Sequence, residues 1–402
     1  MENLILKLPK ETVTISRQVF ISLLDFSPIM ELASYQRAIT NNEISFEDLK
    51  DLAVRSGVPY PLFFAPPHIV NRQISQKNKH LFEKIPTKDE IQVASRGKIQ
   101  ISDIELIIKD LARKQEFLKG RILVDTTPNK FIGCALPKIK NGVSDSSISK
   151  YIREYFEFDL QHLRSLSKEK VLAYLCRKIE EKNILVSFSS YNYMPQNISR
   201  ELGFSGVCIK DKKFPYIFIN TRDGDEKPKI LESTGRQIFT LLTMVACTAL
   251  GKFFLNSKAG NTKDNTLKKA FSIAGGILVP PEDLGGRKAD TLDELKEVAH
   301  FFKVTPSMIL LQLQENGLIK KSLANQFRQA LLADVKKAEP KQKRQVLPIN
   351  GYSKYNGERL SREVIKAFRA NKVSEVEVKN VLFRQVKMDT QLFNAYNLKF
   401  GL

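Results

Sequence analysis

Histidine is scarce in this sequence. His68, His80, His162 and His300 are the only four in 402 residues, and no two lie close enough to form a local metal pair. Cysteine is equally sparse: Cys134, Cys176, Cys208 and Cys247 show no CxxC spacing and no Cys/His grouping of the zinc-knuckle kind. Scattered reduced thiols fit a cytoplasmic location. Long apolar runs are missing too: the apolar, charge-free stretch over residues 237–251 is too short to cross a bilayer and is bracketed by Arg236 and Lys252. It reads as a buried helix. Residues 1–10 mix charges with apolar positions and carry no apolar signal region, so no membrane partner is expected.

Acidic residues are in deficit. Lysine and arginine number 64 against 44 acids, a formal net charge of +20, which favours polyanionic partners such as nucleic acid or an acidic protein. The same balance also arises in lysine-rich chains with no nucleic-acid role.

At 42% hydrophobic content the chain is long enough for two or three units with their own cores. Residues 1–68 read as a helical unit ending in a proline-rich segment around Pro59, Pro61 and Pro66. Residues 69–148 read as a helical connector, with Ile104, Ile107, Ile108 and Leu111 at helical spacing. From Asn183 three β-branched and aromatic runs follow, separated by turn residues, with Asp211-Lys-Lys-Phe-Pro215 as the hairpin between the last two. An apolar helix follows from Arg236, a second over 266–277, and an amphipathic pair over 293–302 and 306–316. Thr305 is a plausible N-cap for the last of these. Residues 320–344 hold eight basic and two acidic residues on a helix that frays into a polar run. A small terminal module completes the chain over 346–402.

Residues 149–320 resemble the ImmA/IrrE family of bacterial zinc peptidases. The likeness is carried in order by Phe204-Ser-Gly-Val-Cys-Ile, Pro215-Tyr-Ile-Phe-Ile-Asn220, Arg236-Gln-Ile-Phe-Thr-Leu-Leu242, Ala274-Gly-Gly-Ile-Leu-Val-Pro280 and the stretch 295–309. Residues 56–67 resemble the junction after the XRE-type helix-turn-helix of longer members, and Asn356-Gly-Glu-Arg-Leu360 resembles their C-terminal module. The fold this implies is α+β and mainly helical: a small zincin-like sheet packed on a buried helix, with helical N- and C-terminal domains. A degenerate XRE-like domain would occupy 1–68 and a basic helix and linker 321–345.

Family members place His-Glu-x-x-His directly after the Arg-x-x-Phe-Thr-Leu segment, because histidines four residues apart grip one zinc and the glutamate activates its water. Here those positions read Thr243-Met-Val-Ala-Cys247, and the third family ligand falls at Leu267. Neither histidine survives and the base position is Met244. One thiolate and one hydroxyl do not make a zinc site, so no catalytic residue, no metal and no cofactor are expected, and Cys247 reads as an apolar filler. His300 reads as a surface or half-buried histidine.

Strand and helix segments that survive suggest a groove lined by Tyr216, Phe218, Asn220, Phe239 and Thr240, where a partner segment would add as a strand. The resemblance implies a non-catalytic regulator or antitoxin-like protein whose partner is a helix-turn-helix repressor or a toxin such as a PIN-domain ribonuclease. The alternative is a nucleic-acid-binding regulator contacting phosphates through Lys336, Lys337, Lys341, Lys343 and Arg344. An active metallopeptidase with an atypical site is the remaining reading.

Overall fold

The computed structural model describes residues 3–24, 27–30, 32–84, 104–123, 127–135, 142–198, 205–221, 233–252, 266–285, 287, 289–337, 346–384 and 389–401. Over these the chain is mainly helical with two three-stranded mixed sheets. That is an α+β architecture.

The first sheet lies at the N-terminus and corrects the purely helical reading of residues 1–68. Strand β1 (Asn3–Lys7) pairs antiparallel with β2 (Thr12–Ser16), and β3 (Glu43–Ser45) pairs parallel with β1. Alternation explains the strands: Leu4, Leu6 and Ile15 are buried while Ile5, Thr12 and Thr14 face solvent. Helices α1 (Arg17–Leu24), α2 (Ala33–Asn41), α3 (Phe46–Ser56) and α4 (Pro67–Lys84) complete this unit. Ser45 caps α3 by accepting from the Asp48 N–H, and Gly57 closes it at φ +64°.

The remaining elements share one large core. Helix α5 (Glu105–Phe117) leads into α6 (Asp145–Phe156), α7 (Leu160–Ser165) and α8 (Lys168–Glu181). Then come strands β4 (Leu185–Phe188), β5 (Gly206–Ile209) and β6 (Tyr216–Ile219). Their order is β4-β6-β5, with β6 parallel to β4 and antiparallel to β5. Helix α9 (Thr234–Ala249) packs against β5 and β6, and α10 (Thr266–Leu278) packs along α9. Twelve of the sixteen α9 residues are buried. At about 1.5–3 kcal/mol for each large apolar side chain buried, this helix is a main source of stability.

Helices α11 (Leu292–Phe301), α12 (Pro306–Glu315) and α13 (Lys321–Lys337) follow, and α14 (Pro348–Asn356), α15 (Glu358–Arg369) and α16 (Thr390–Phe400) form the terminal module. Thr291 and Glu294 make a capping box at the start of α11, whereas Thr305 takes the N-cap position of α12 without a side-chain bond. Residues of the connector, of 149–320 and of the terminal module all enter the same apolar cluster. Leu106 instead enters the N-terminal core, while its neighbours Ile107 and Ile108 enter the main one. Helix α5 therefore joins the two cores. Among the described residues no helix is long and apolar enough to cross a membrane.

Candidate functional site

Three of the four positions that the resemblance would align with a zinc centre lie on α9, deep in the core. Thr243 is fully buried, Met244 and Cys247 nearly so. Thr243 donates its hydroxyl to the Phe239 carbonyl at 2.8 Å, one helical turn back. The Met244 carbonyl accepts from Thr248 Oγ1 at 2.9 Å and from the Cys208 thiol of β5 at 3.3 Å. Burial pushes the Cys247 thiol up to about 12, the state of a thiol packed in apolar surroundings. Leu267 lies in the first turn of α10, and its side chain lies outside the described residues. The donor set does not fit zinc: a back-bonded hydroxyl, a thioether and a protonated thiol offer none of the imidazoles or carboxylates that hold a catalytic ion. Among the described residues no group of three or more His, Cys, Asp or Glu is placed to hold a metal.

The expected peptide groove is closed. β6 is the inner strand of its sheet, paired on both sides, so no segment can add along residues 215–220. Tyr216 and Phe218 are fully buried, and Asn220 and Thr240 are nearly so. Thr240 packs its methyl toward Gly206, where a Cβ would sit 3.1 Å away. Phe239 alone of the five is half-exposed, and it packs on Phe271 with ring centroids 5.5 Å apart. Helix α5 also lies against β5, and Gln115 Nε2 donates to the Phe214 carbonyl at 2.7 Å. His300 is exposed near the end of α11, as expected. Lys336 and Lys337 end α13 with their side chains outside the described residues, and Lys341, Lys343 and Arg344 lie outside them altogether.

Ionisable side chains converge instead where α5, the second sheet and the terminal module meet. Asp110 of α5 accepts from Tyr355 Oη of α14 at 2.9 Å and from Arg113 Nη2 at 2.8 Å, and Lys114 Nζ lies 2.9 Å from its Oδ2. Arg384 approaches the same carboxylate at 3.9 Å. Burial raises the Asp110 carboxyl, but the charges of Lys114, Arg113 and Arg384 outweigh it and hold the group well below the usual range. Burial brings the Lys114 ammonium down to about 8, only partly offset by Asp110.

A second set of bonds extends this seam. Tyr216 Oη donates to the Asn356 carbonyl at 3.0 Å, and Asn356 Nδ2 donates to Leu382 O and Tyr396 Oη. Glu180 of α8 accepts from the backbone N–H of Arg359 at 3.2 Å and of Val186 at 3.4 Å. Burial lifts its carboxyl to about 8. Gly357, at φ +78°, passes so close that a Cβ there would collide with the Val186 carbonyl and stand 3.1 Å from Glu180 Oε1. The Asn356-Gly-Glu-Arg-Leu360 segment is thus the joint by which the terminal module seats on β4 and α8. No substrate reaches the seam: Lys114, Tyr355, Tyr216 and Ser361 are all essentially inaccessible.

The chain matches no family model, no curated protein and no solved structure. Its likeness to zinc peptidases therefore rests on the order of its own segments.

Proposed function

We propose that this chain is a non-catalytic, peptidase-like binding protein, with a zincin-like arrangement of β4–β6 on α9 that has lost its metal chemistry. The observation that carries this reading is the state of Thr243, Met244 and Cys247: buried, with the hydroxyl already bonded and the thiol protonated. A catalytic ion needs an open coordination position and a general base beside it. Replacing both with apolar core removes activity while leaving a scaffold. The partner suggested by the resemblance is a helix-turn-helix repressor or a PIN-domain ribonuclease toxin, engaged through an outer surface, because the strand-addition groove is filled by the chain itself.

Elemental analysis after dialysis, together with a peptide-cleavage assay, tests the reading. The expected result is no stoichiometric zinc and no cleavage. One zinc per chain, lost together with proteolysis in Cys247→Ser, would overturn it. Titration calorimetry against a repressor or toxin encoded beside the gene tests the binding half, and the absence of heat with both classes counts against a regulatory role.

A second reading is favoured by the net charge of +20: a nucleic-acid-binding regulator using α13 and the basic run that follows. Lys320, Lys321 and Arg328 are exposed along this region. Fluorescence anisotropy with labelled duplex should then show affinity falling steeply with salt. A charge-reversed variant at Lys336, Lys337, Lys341, Lys343 and Arg344 should lose most of that binding. Unchanged affinity in the variant removes the assignment.

A further inference from the structure

The outer edge of β2 carries backbone groups that its own sheet leaves unused. The Ile5 N–H bonds the Asn42 carbonyl at 2.9 Å, so Ile5 faces the β3 side of β1. Alternate residues of a strand face opposite edges, so Leu4 and Leu6 turn toward β2, where their partners are Ile15 and Val13. The bond from Leu8 N to Glu11 O at 2.9 Å keeps the same phase. Thr12, Thr14 and Ser16 accordingly turn their N–H and C=O groups away from β1. Among the described residues β2 has no partner strand on that side, and Thr12 and Thr14 are exposed.

Edge strands of soluble proteins are ordinarily guarded by an internal lysine, a proline or a bulge. β2 reads Thr-Val-Thr-Ile-Ser, uncharged and rich in β-branched residues, and has none of these. Beside it lies the turn Tyr60–Phe64, on which Tyr60 and Phe64 are 41% and 45% exposed. An added strand would find unused hydrogen-bonding groups along this edge.

We infer that this edge docks the β2 strand of a second copy of the chain, antiparallel, about a two-fold axis at Thr14. The register is self-complementary. Thr14 faces its own counterpart, Val13 faces Ile15, and Thr12 faces Ser16, so apolar meets apolar on the inner face and hydroxyl meets hydroxyl on the outer. The pairing is isologous, with the same strand on both sides of the axis. The two sheets become one continuous six-stranded sheet, in which Thr14 exchanges backbone bonds with its symmetry mate.

Sedimentation velocity on the full chain across a range of protein concentrations decides the matter. The wild type should pass from monomer to dimer as concentration rises. Thr14→Pro deletes an N–H that does not serve the β1 ladder, and should weaken the dimer at least tenfold. Thr14→Lys, compatible with a folded strand, sets two ammonium groups against each other at the axis and should weaken it further at low salt than at high salt. Thr14→Val should dimerise like the wild type, and circular dichroism confirms that each variant is folded. A wild type that stays monomeric throughout, even one that takes up a strand from a different protein, overturns the inference. A folded Thr14→Lys variant with wild-type dimerisation does so equally.

Discussion

Lys114 Nζ lies 2.9 Å from Asp110 Oδ2 and 3.9 Å from the centroid of the Tyr355 ring, at a site where the side chains of Lys114 and Asp110 are 0% and 2% exposed. The ammonium is in ion contact but makes no well-directed hydrogen bond, so the ring face supplies part of its stabilisation. Two segments far apart in sequence, α5 and α14, are fastened by this triad.

Removing one charge of that pair should cost far more than removing both. Asp110→Ala leaves the Lys114 ammonium buried without its counter-ion, a loss of about 3–5 kcal/mol. The double variant Asp110→Ala with Lys114→Met should recover most of this, because an apolar pair of similar volume needs no compensation. Urea unfolding of the two variants and the wild type measures it. Since the folded Asp110 carboxyl is held low, its contribution is complete above about pH 3.9, the unfolded value, and is lost as acid brings the pH down through the folded one.

Glu180 should make stability fall as pH rises. Its folded carboxyl stands at about 8 against an ordinary value of 4.5, so between these limits the folded state holds the proton that the unfolded state releases. The stabilising proton is fully present below about 4.5 and is lost as pH passes through about 8. Glu180→Gln cannot ionise and should flatten this slope, whatever its baseline. Urea midpoints at several pH values compare the two, and equal slopes would mean that Glu180 is ionised in the fold.

Much of the second sheet was legible. Runs from Asn183, Phe204 and Tyr216 became β4, β5 and β6, and the Asp211 segment became their hairpin, because buried strands bounded by turn residues are a local signal. Strand order is not local, and it decided the outcome at the site. β4 enters parallel to β6 and makes it the inner strand, which closes the groove expected at Tyr216 and Phe218. β1 and β2 were missed as five-residue strands whose alternation is easily absorbed into a helical reading. The seam was hidden for a different reason, since Tyr355 and Asp110 are 245 positions apart. Its one local hint is Asp110 and Lys114 at i and i+4 among Ile107, Ile108 and Leu111, charges on a face that is otherwise apolar.

Gly357 should not tolerate alanine. Its φ of +78° is costly for any side chain, and the added Cβ would meet the Val186 carbonyl. Strain and overpacking together should cost at least about 2 kcal/mol. Val186 and Glu180 belong to β4 and α8, so the loss falls on the docking of the terminal module. Thermal unfolding of Gly357→Ala should show a lower midpoint, and an unchanged one would contradict this close approach.

Arg384 should hold the N-terminal unit to the rest of the chain. Its guanidinium donates from Nη2 to the carbonyls of Val54 and Arg55 at 3.4 and 3.5 Å, at the C-terminal end of α3, while Nε lies 3.9 Å from Asp110. A cation at that end of a helix meets carbonyls with no intrahelical partner and the negative pole of the helix dipole. These bonds are long and partly solvated, so the loss in Arg384→Ala should be only about 0.5–1.5 kcal/mol. Its location is more telling than its size. Hydrogen exchange should quicken in the last turn of α3 and around Asp110 while β4–β6 stay protected, because the second sheet takes no bond from Arg384. Arg384→Lys should restore little, since a single ammonium cannot span two carbonyls and a carboxylate as the planar guanidinium does. Uniform acceleration across α9 and the second sheet would show that Arg384 supports the whole core, whereas no change at α3 would mean that Arg384 does not hold the N-terminal unit.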